Sequence, residues 1–204
     1  MLDLLFTSPF SFIVIFGGII IAIGIHEAAH CYMADYLGDP TPRSLGRLSL
    51  NPLVHLDPLG TLVILVTGFF GWGKASPFDP YNLANPKRDT ALIALAGPAS
   101  NILLAIGFSL LARLLPIPPF LLPIFSFLVR INVGLAVFNL IPVPPLDGSK
   151  VIGIFMSHTS AIKYQNASNP LLLLLLILPI FGGASVASLI VSPVASLIIQ
   201  ILLP

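Results

Sequence analysis

The sequence predicts an all-α polytopic membrane protein with about five transmembrane helices. Between residues 38 and 80 we expect a re-entrant, membrane-associated region that contains short strands. Two observations support this fold class. Of the 204 residues, 56% are hydrophobic and only 8% are charged, whereas about 25% of the residues in an average soluble domain are charged. Several apolar stretches also approach the roughly 20 residues that a helix needs to cross a bilayer.

Four apolar stretches are long enough, or nearly long enough, to cross the bilayer: Pro9–Leu37, Thr90–Leu115, Pro123–Ile141 and Ala184–Leu203. A fifth, Pro170–Phe181, is short and either starts earlier or pairs with the last stretch through Gly182-Gly183. We therefore expect one domain over residues 1–204, with a core at 9–150 and a C-terminal helical hairpin at 169–204. The first stretch lacks a basic n-region and a cleavage site, so we expect it to be retained as a span.

Residues 38–80 do not have the pattern of a membrane helix. Arg43–Leu50 alternates apolar and polar residues as a strand does, and Phe69–Ser76 also has an extended, turn-rich pattern. Leu59–Trp72 is apolar, but as a helix it would reach about 21 Å, which is short of the roughly 30 Å hydrocarbon core. Irregular backbone at membrane depth is tolerated where protein buries it or where it lines a wet cavity. The region is therefore either such a lining or an ordinary surface loop.

Candidate chemistry lies at the C-terminal end of the first stretch, where His26, Glu27 and His30 occur together. Histidines four residues apart share one face of a helix, and H-E-x-x-H is a zinc-hydrolase arrangement in which the glutamate is the general base. The pattern also occurs by chance in soluble proteins. Here, however, ionisable residues lie in a membrane-grade segment, where they are functional candidates. The only glutamate of the chain lies between two of its four histidines.

A third metal ligand must come from elsewhere, because a catalytic zinc has three protein ligands and one open position. From the residues alone the candidates are His55, His158, Asp147 and the other aspartates. Asp147 follows prolines at positions 142, 144 and 145. A proline-broken helix frees backbone carbonyls, which are tolerated only in a cavity. Taken alone, however, the sequence around Asp147 is also typical of a surface turn.

Three motifs together resemble the site-2 protease family of intramembrane zinc metalloproteases, in particular its compact bacterial-type members without PDZ or CBS domains. They are HEAAH at 26–30, AGPASN at 96–101 and NLIPVPPLDG at 139–148. The resemblance implies that His26, His30 and Asp147 bind one Zn²⁺ ion per chain. It also implies that Glu27 is catalytic and that Asn139 positions the substrate or stabilises the oxyanion.

The role of His55 stays open at this stage. It is an alternative ligand, an oxyanion donor or a partner of Asp57. Because three protein ligands are already available, we expect His55 beside the ligands rather than among them.

The positive charges predict an orientation. If His30 and Asp147 share a metal, the ends of their spans lie on one side of the membrane, so an odd number of crossings separates them. If Leu59–Trp72 dips into the membrane and returns, seven lysines and arginines share that side and Arg113 flanks the other, while Arg130 lies within a span. If Leu59–Trp72 crosses fully, the division is five against three. The seven are Arg43, Arg47, Lys74, Lys87, Arg88, Lys150 and Lys163. By the positive-inside rule, we expect a multi-pass protein of the inner (plasma) membrane with its site toward the cytoplasm.

These features together predict an intramembrane zinc endopeptidase that acts within or near the transmembrane segments of membrane-protein substrates. Its expected partners are those transmembrane helices and the lipid bilayer; the net charge of +1 gives no reason to expect nucleic-acid binding. A metal transporter or sensor and an inactive scaffold are the alternatives. The ionisable groups cluster at one depth, which argues against a transport path, and an intact Glu27 argues against a scaffold.

Overall fold

The computed structural model describes residues 2–68, 71–167, 176, 178–181 and 184–203. Its fold is mostly helical with very little strand, as predicted for the fold class. The α-helices are α1 (Leu2–Thr7), α2 (Pro9–Tyr36), α3 (Thr41–Ser44), α4 (Pro58–Thr67), α5 (Pro86–Leu114), α6 (Leu122–Asn139), α7 (Asp147–Ile152), α8 (His158–Asn166) and α9 (Val186–Leu202). Short 3₁₀ helices lie at Pro52–His55, Pro80–Asn82, Pro119–Leu121 and Gly153–Phe155. Two short antiparallel strands, β1 (Pro179–Phe181) and β2 (Ala184–Ser185), pair with each other.

Three helices are long and apolar enough to cross a membrane: α2, α5, and α6 together with the 3₁₀ turn before it. They match the first three predicted stretches to within four residues at each end. Helix α5 begins earlier than predicted, at Pro86, because Asp89 accepts a hydrogen bond from the backbone N–H of Asn85 at 2.8 Å and so stabilises an additional first turn. Helix α9 is apolar but has 17 residues.

Helix α5 packs against both α2 and α6, and α9 packs mainly against α6 and also touches α5. The contact between α6 and α9 is apolar: Val129 and Val133 are fully buried against Ala195 and against Ala105 of α5. On the other side, Ile64 of α4 completes a cluster with isoleucines of α2. The packing leaves the C-terminal halves of α2 and α6 and the N-terminal half of α5 at the same end of the bundle.

The apolar segment Leu59–Trp72 returns to the place where it starts. Helix α4 ends at Gly68, whose φ of +84° is a left-handed conformation that glycine adopts without strain. Leu56 and Gly73 then form an antiparallel bridge, and the N–H of Lys74 donates to the carbonyl of His55 at 2.7 Å. The two ends of the segment therefore lie side by side, and whether it re-enters the membrane stays a prediction.

The strand predicted for Arg43–Leu50 is wrong: its first residues belong to α3, and a turn with Gly46 at φ +65° follows. The cause is local. Asp39 accepts hydrogen bonds from the backbone N–H of Thr41 at 3.1 Å and from its hydroxyl at 2.6 Å, which favours a helical turn. In Phe69–Ser76 the described residues form neither helix nor strand, apart from the bridge between Gly73 and Leu56.

The predicted C-terminal hairpin is described only in part. Strands β1 and β2 flank Gly182-Gly183, and α9 follows directly. Most of Pro170–Phe181 lies outside the described residues. His158, one of the candidate ligands, begins α8.

Candidate metal centre

The structure brings His26, His30 and Asp147 together. The Nε2 atoms of His26 and His30 each lie 3.1 Å from Oδ2 of Asp147, although the residues are more than a hundred positions apart in the chain. The three ligand atoms lie within 4.8 Å of one another, and each residue is 5% exposed. The two imidazole planes are nearly perpendicular, at 86°. The predicted ligand set therefore forms one buried cluster.

Hydrogen bonds on the far side of each ring determine which nitrogen carries the proton. Nδ1 of His30 lies 2.7 Å from the carbonyl of Ile93, which only accepts, so Nδ1–H donates. Nδ1 of His26 lies 2.7 Å from Oδ1 of Asn101. The orientation of that amide is fixed because its Nδ2 donates to the carbonyl of Ala22 at 3.1 Å. In the neutral rings both Nε2 atoms therefore present lone pairs toward the carboxylate oxygen.

This donor set fits a divalent metal ion. Two imidazole nitrogens and one carboxylate oxygen converge, and with neutral rings no hydrogen lies between either nitrogen and the oxygen. Imidazole and carboxylate are ligand types that zinc uses in catalytic sites. Oδ1 of Asp147 accepts a hydrogen bond from the ammonium group of Lys150 at 3.2 Å, and this positive charge favours the ionised form of the carboxyl group. The carboxyl group is therefore ionised, as a metal ligand must be.

Two glycines make the close packing at this cluster possible. A Cβ on Gly97 of α5 would lie 2.4 Å from Nε2 of His30 and 2.7 Å from Cε1 of His26. A Cβ on Gly148 would lie 2.2 Å from the carbonyl oxygen of Leu140. Gly148 does not have the positive φ for which a sharp turn would need glycine. Its missing side chain instead lets α7 lie close to the end of α6.

Asn101 and Asn132 are part of the site, although the sequence analysis assigned neither of them a role there. Nδ2 of Asn101 donates to Oδ1 of Asn132 at 2.9 Å, and Asn132 donates to the carbonyl of Leu128 at 2.8 Å. The two amides are 0% and 1% exposed. They join α2, α5 and α6 around His26. In the sequence, both are amide residues within otherwise apolar stretches. Because a buried polar group needs a partner, this could have marked them as candidates for the site.

Glu27 lies beside the ligands but is not one of them in the cluster. Residues 71–76, which follow α4, pass α2 at this point: a Cβ on Gly73 would lie 2.9 Å from Cγ of Glu27. The hydroxyl of Ser76 donates to the backbone carbonyl of Glu27 at 2.9 Å and lies 2.6 Å from Sγ of Cys31. The surroundings of Glu27 are therefore set by a segment distant in sequence.

His55 and Arg47 hold the segment at residues 71–76 in place. The Nε2–H of His55 donates to the carbonyl of Ser49 at 2.8 Å, so its Nδ1 accepts from Nη2 of Arg47 at 3.3 Å. The same Nη2 donates to the carbonyl of Lys74 at 2.7 Å. Burial and, less strongly, the charge of Arg47 lower the pKa of His55. Asp57 instead caps α4, where it accepts from the N–H of Gly60 at 2.8 Å. The side-chain hydrogen bonds of His55 are with Ser49 and Arg47 and not with Asp57.

Asn139 is the last residue of α6 and is half-buried. Its Nδ2 donates to the carbonyl of Leu135 in the same helix at 3.0 Å. A role at the oxyanion stays a prediction.

Comparisons with known proteins give a family for the chain. Residues 116–179 match peptidase family M50. The protein named "Putative zinc metalloprotease YwhC" of Bacillus subtilis is 40% identical over 161 residues, which are 72% of this chain and 73% of that protein. "Putative zinc metalloprotease Rip2" of Mycolicibacterium smegmatis is 30% identical over 143 residues, 67% of this chain and 55% of that protein. No solved structure matches the chain.

The apolar helices and the buried histidine–aspartate cluster define a membrane protein with a metalloprotease-like centre. By its likeness to YwhC and the family match, the chain belongs to peptidase family M50, the site-2 protease family. Its similarity to Rip2 covers about half the length of that relative.

Proposed function

We propose that this protein is an intramembrane zinc endopeptidase, which hydrolyses peptide bonds within or near the transmembrane segments of other membrane proteins. One observation carries the proposal: two imidazole lone pairs and an ionised carboxylate converge beside Glu27. A converging set of electron-pair donors calls for a cation. The names of the relatives support zinc as that cation, with one ion per chain.

In this proposal, metal binding, proton transfer and stabilisation of the oxyanion are carried out by different residues. His26, His30 and Asp147 would hold the zinc ion and leave one position open. When bound, zinc polarises a carbonyl and lowers the pKa of water toward about 7. Glu27 takes a proton from the attacking water and delivers it to the leaving amine. Asn139 steadies the negative charge that develops on the scissile carbonyl oxygen.

A substrate helix has to unwind locally, because the base can reach only an extended peptide at the metal. Residues 71–76 pass α2 at Glu27, and we propose that a substrate strand adds beside them. Arg43–Leu50, the other segment with a strand-like pattern, begins as helix and turn and contains no strand. We therefore assign the substrate strand to residues 71–76.

We further propose about five membrane spans: α2, α5, α6 and two in the C-terminal hairpin at 169–204. The bridge between Leu56 and Gly73 supports keeping α4 on one side of the membrane. With that topology, the seven-to-one division of the flanking lysines and arginines supports our proposal that the site faces the cytoplasm at the inner membrane. Water then reaches the metal through the proline- and glycine-rich region at 38–80.

The test compares the zinc-loaded wild type with Glu27→Gln on a panel of single-span substrates. Because the amide keeps the shape of the side chain but cannot take a proton, the variant should bind zinc normally and cleave at least about a hundredfold more slowly. Asp3→Asn, the same chemical change on exposed α1, is the control and should cleave like the wild type. Equal cleavage by wild type and Glu27→Gln contradicts the proposal.

A further inference from the structure

The two oxygens of Asp147 have different partners. Oδ2 faces both histidines, whereas Oδ1 accepts a hydrogen bond from Nζ of Lys150 at 3.2 Å. Lys150 lies three residues further along α7, so the two side chains share one face of that helix. The carboxylate side chain is 7% exposed and the lysine side chain is 30% exposed. This ion pair is thus formed at the edge of the buried cluster.

The ammonium group has a second contact that restricts its position. It lies 5.9 Å from the centroid of the Phe78 ring, within the range of a cation–π attraction. Phe78 packs against a buried cluster of Ala34, Leu83 and Ile93. Ile93 also accepts the hydrogen bond from His30. The lysine head is therefore positioned between its carboxylate and a ring that is tied to the same helices as the ligands.

We infer that Lys150 keeps Asp147 a one-oxygen ligand and thereby preserves the open coordination position of the metal. This inference rests on the proposed function, because it concerns the same metal centre. A carboxylate that used both oxygens would occupy the position that a hydrolytic centre leaves for water. To do so it would have to break a charge-assisted hydrogen bond with Lys150 and bring a dication closer to an ammonium group.

Lys150 should therefore affect how the metal is coordinated and not how tightly it is bound. Three ligand atoms remain when the lysine is removed, so the metal stays bound and the freed Oδ1 joins the coordination. A lysine that merely supported the local structure would, when removed, loosen Asp147 and weaken metal binding. Arginine keeps both the charge and the donors, so Lys150→Arg should preserve one-oxygen binding, whereas Lys150→Met and Lys150→Gln should not.

The experiment replaces zinc by Co²⁺ in the purified full chain and records the visible absorption spectrum, which is strong for four-coordinate and weak for five-coordinate cobalt. Wild type and Lys150→Arg should give the strong spectrum. Lys150→Met and Lys150→Gln should give the weak one, with one cobalt per chain and an affinity, measured by chelator competition, within about tenfold of the wild type. Lys163→Met, the same change on exposed α8, should match the wild type.

Turnover of a single-span substrate supplies the second readout. Lys150→Met should lower kcat at least about tenfold, with KM unchanged, because the attacking water loses its place rather than the substrate its binding surface. An unchanged cobalt spectrum in both Lys150→Met and Lys150→Gln overturns the inference, and so does loss of metal from both. If wild-type cobalt is four-coordinate and no substrate is cleaved, the proposed function fails while the inference on Lys150 stands.

Discussion

Gly97 of α5 lies directly against the imidazole of His30, and a Cβ at this position would be 2.4 Å from Nε2. Contacts this short require one partner to move, and both histidine rings are buried among helices. We therefore expect Gly97→Ala to displace the ligands and to weaken zinc binding at least about a hundredfold. Zinc content after purification and competition with a chelator measure the effect.

Gly107 of the same helix provides the matched control, because a Cβ there has no atom within 4 Å. Since alanine favours a helix interior over glycine by about 1 kcal/mol, Gly107→Ala should bind zinc as the wild type does and unfold at a slightly higher temperature. Normal zinc affinity in Gly97→Ala contradicts this account of α5.

Asn101 orients His26 through its Nδ1 and is itself held by Ala22 and Asn132. Removing the amide leaves the Nδ1–H of His26 without its acceptor and frees the ring to change tautomer. Loss of such a partner typically weakens metal binding by about 10–100-fold, so we expect Asn101→Ala to do the same in a zinc titration.

The neighbouring Ser100→Ala is the comparison for Asn101→Ala. Among the described residues, the hydroxyl of Ser100 bonds only to the carbonyl of Gly97 in its own helix, at 2.7 Å, so its loss should leave zinc affinity unchanged. Equal zinc affinities of Asn101→Ala and Ser100→Ala contradict a role of Asn101 at the metal.

Gly73 leaves room for the side chain of Glu27. A Cβ at Gly73 would lie 2.9 Å from Cγ of Glu27 and 3.1 Å from the carbonyl oxygen of His55. Because the glutamate side chain is flexible and the backbone is not, Gly73→Ala should displace the base while the ligands stay in place. We expect kcat to fall at least about tenfold at full zinc occupancy.

Gly153 has open space around its missing Cβ and a negative φ, so Gly153→Ala serves as the control for Gly73→Ala. Both variants should contain one zinc per chain, and only Gly73→Ala should be slow. Loss of zinc from Gly73→Ala would show that the segment positions the ligands and not the base.

The sequence was sufficient for the parts of this protein that are set by local pattern. Long apolar runs predict α2, α5 and α6 because a span is defined by its own residues. The H-E-x-x-H spacing places two ligands on one face of a helix, since helical geometry is regular. The third ligand, Asp147, depended on a resemblance between several motifs.

Features that depend on tertiary contact were less predictable. The alternation in Arg43–Leu50 indicated a strand, but Asp39 bonds to the following turn and starts α3 instead. The bonds of His55 to Ser49 and Arg47 join turns that no periodicity connects. Asn101 reaches His26 across 75 positions, and only the packing of α5 on α2 reveals that contact.

Asp39 joins the turn after α2 to the 3₁₀ helix that precedes α5. It is fully buried, and besides its two bonds from Thr41 it accepts from Nδ2 of Asn82 at 2.8 Å and from the N–H of Asp79 at 2.7 Å. In Asp39→Asn one of the two accepting oxygens becomes an NH₂ group, which would face a hydrogen-bond donor and could not accept its bond. We expect Asp39→Asn to destabilise the metal-free protein by about 1–3 kcal/mol, measured by thermal unfolding in detergent.

The effect of Asp39→Asn should depend on pH. Burial would raise the pKa of Asp39, but its hydrogen bonds lower it below the ordinary value of 3.8. A carboxyl group with a lowered pKa in the folded state contributes stability above pH 3.8, which is lost as the pH falls through the folded value. The gap between wild type and Asp39→Asn should therefore be full at pH 6 and narrow below pH 3.8. A gap that stays constant contradicts the assignment.

The pairing of Leu56 with Gly73 makes a prediction about membrane sidedness. If α4 goes out and returns, Tyr36 at the end of α2 and Lys74 after the bridge lie on the same side, and Leu115 after α5 lies on the other. In Tyr36→Cys, Lys74→Cys and Leu115→Cys, a membrane-impermeant maleimide reports the side, because the native Cys31 is fully buried. The first two should react in inverted vesicles only, and Leu115→Cys in intact cells only. Labelling of Tyr36→Cys and Lys74→Cys from opposite sides would make α4 a crossing and contradict both the re-entrant segment and the cytoplasmic site.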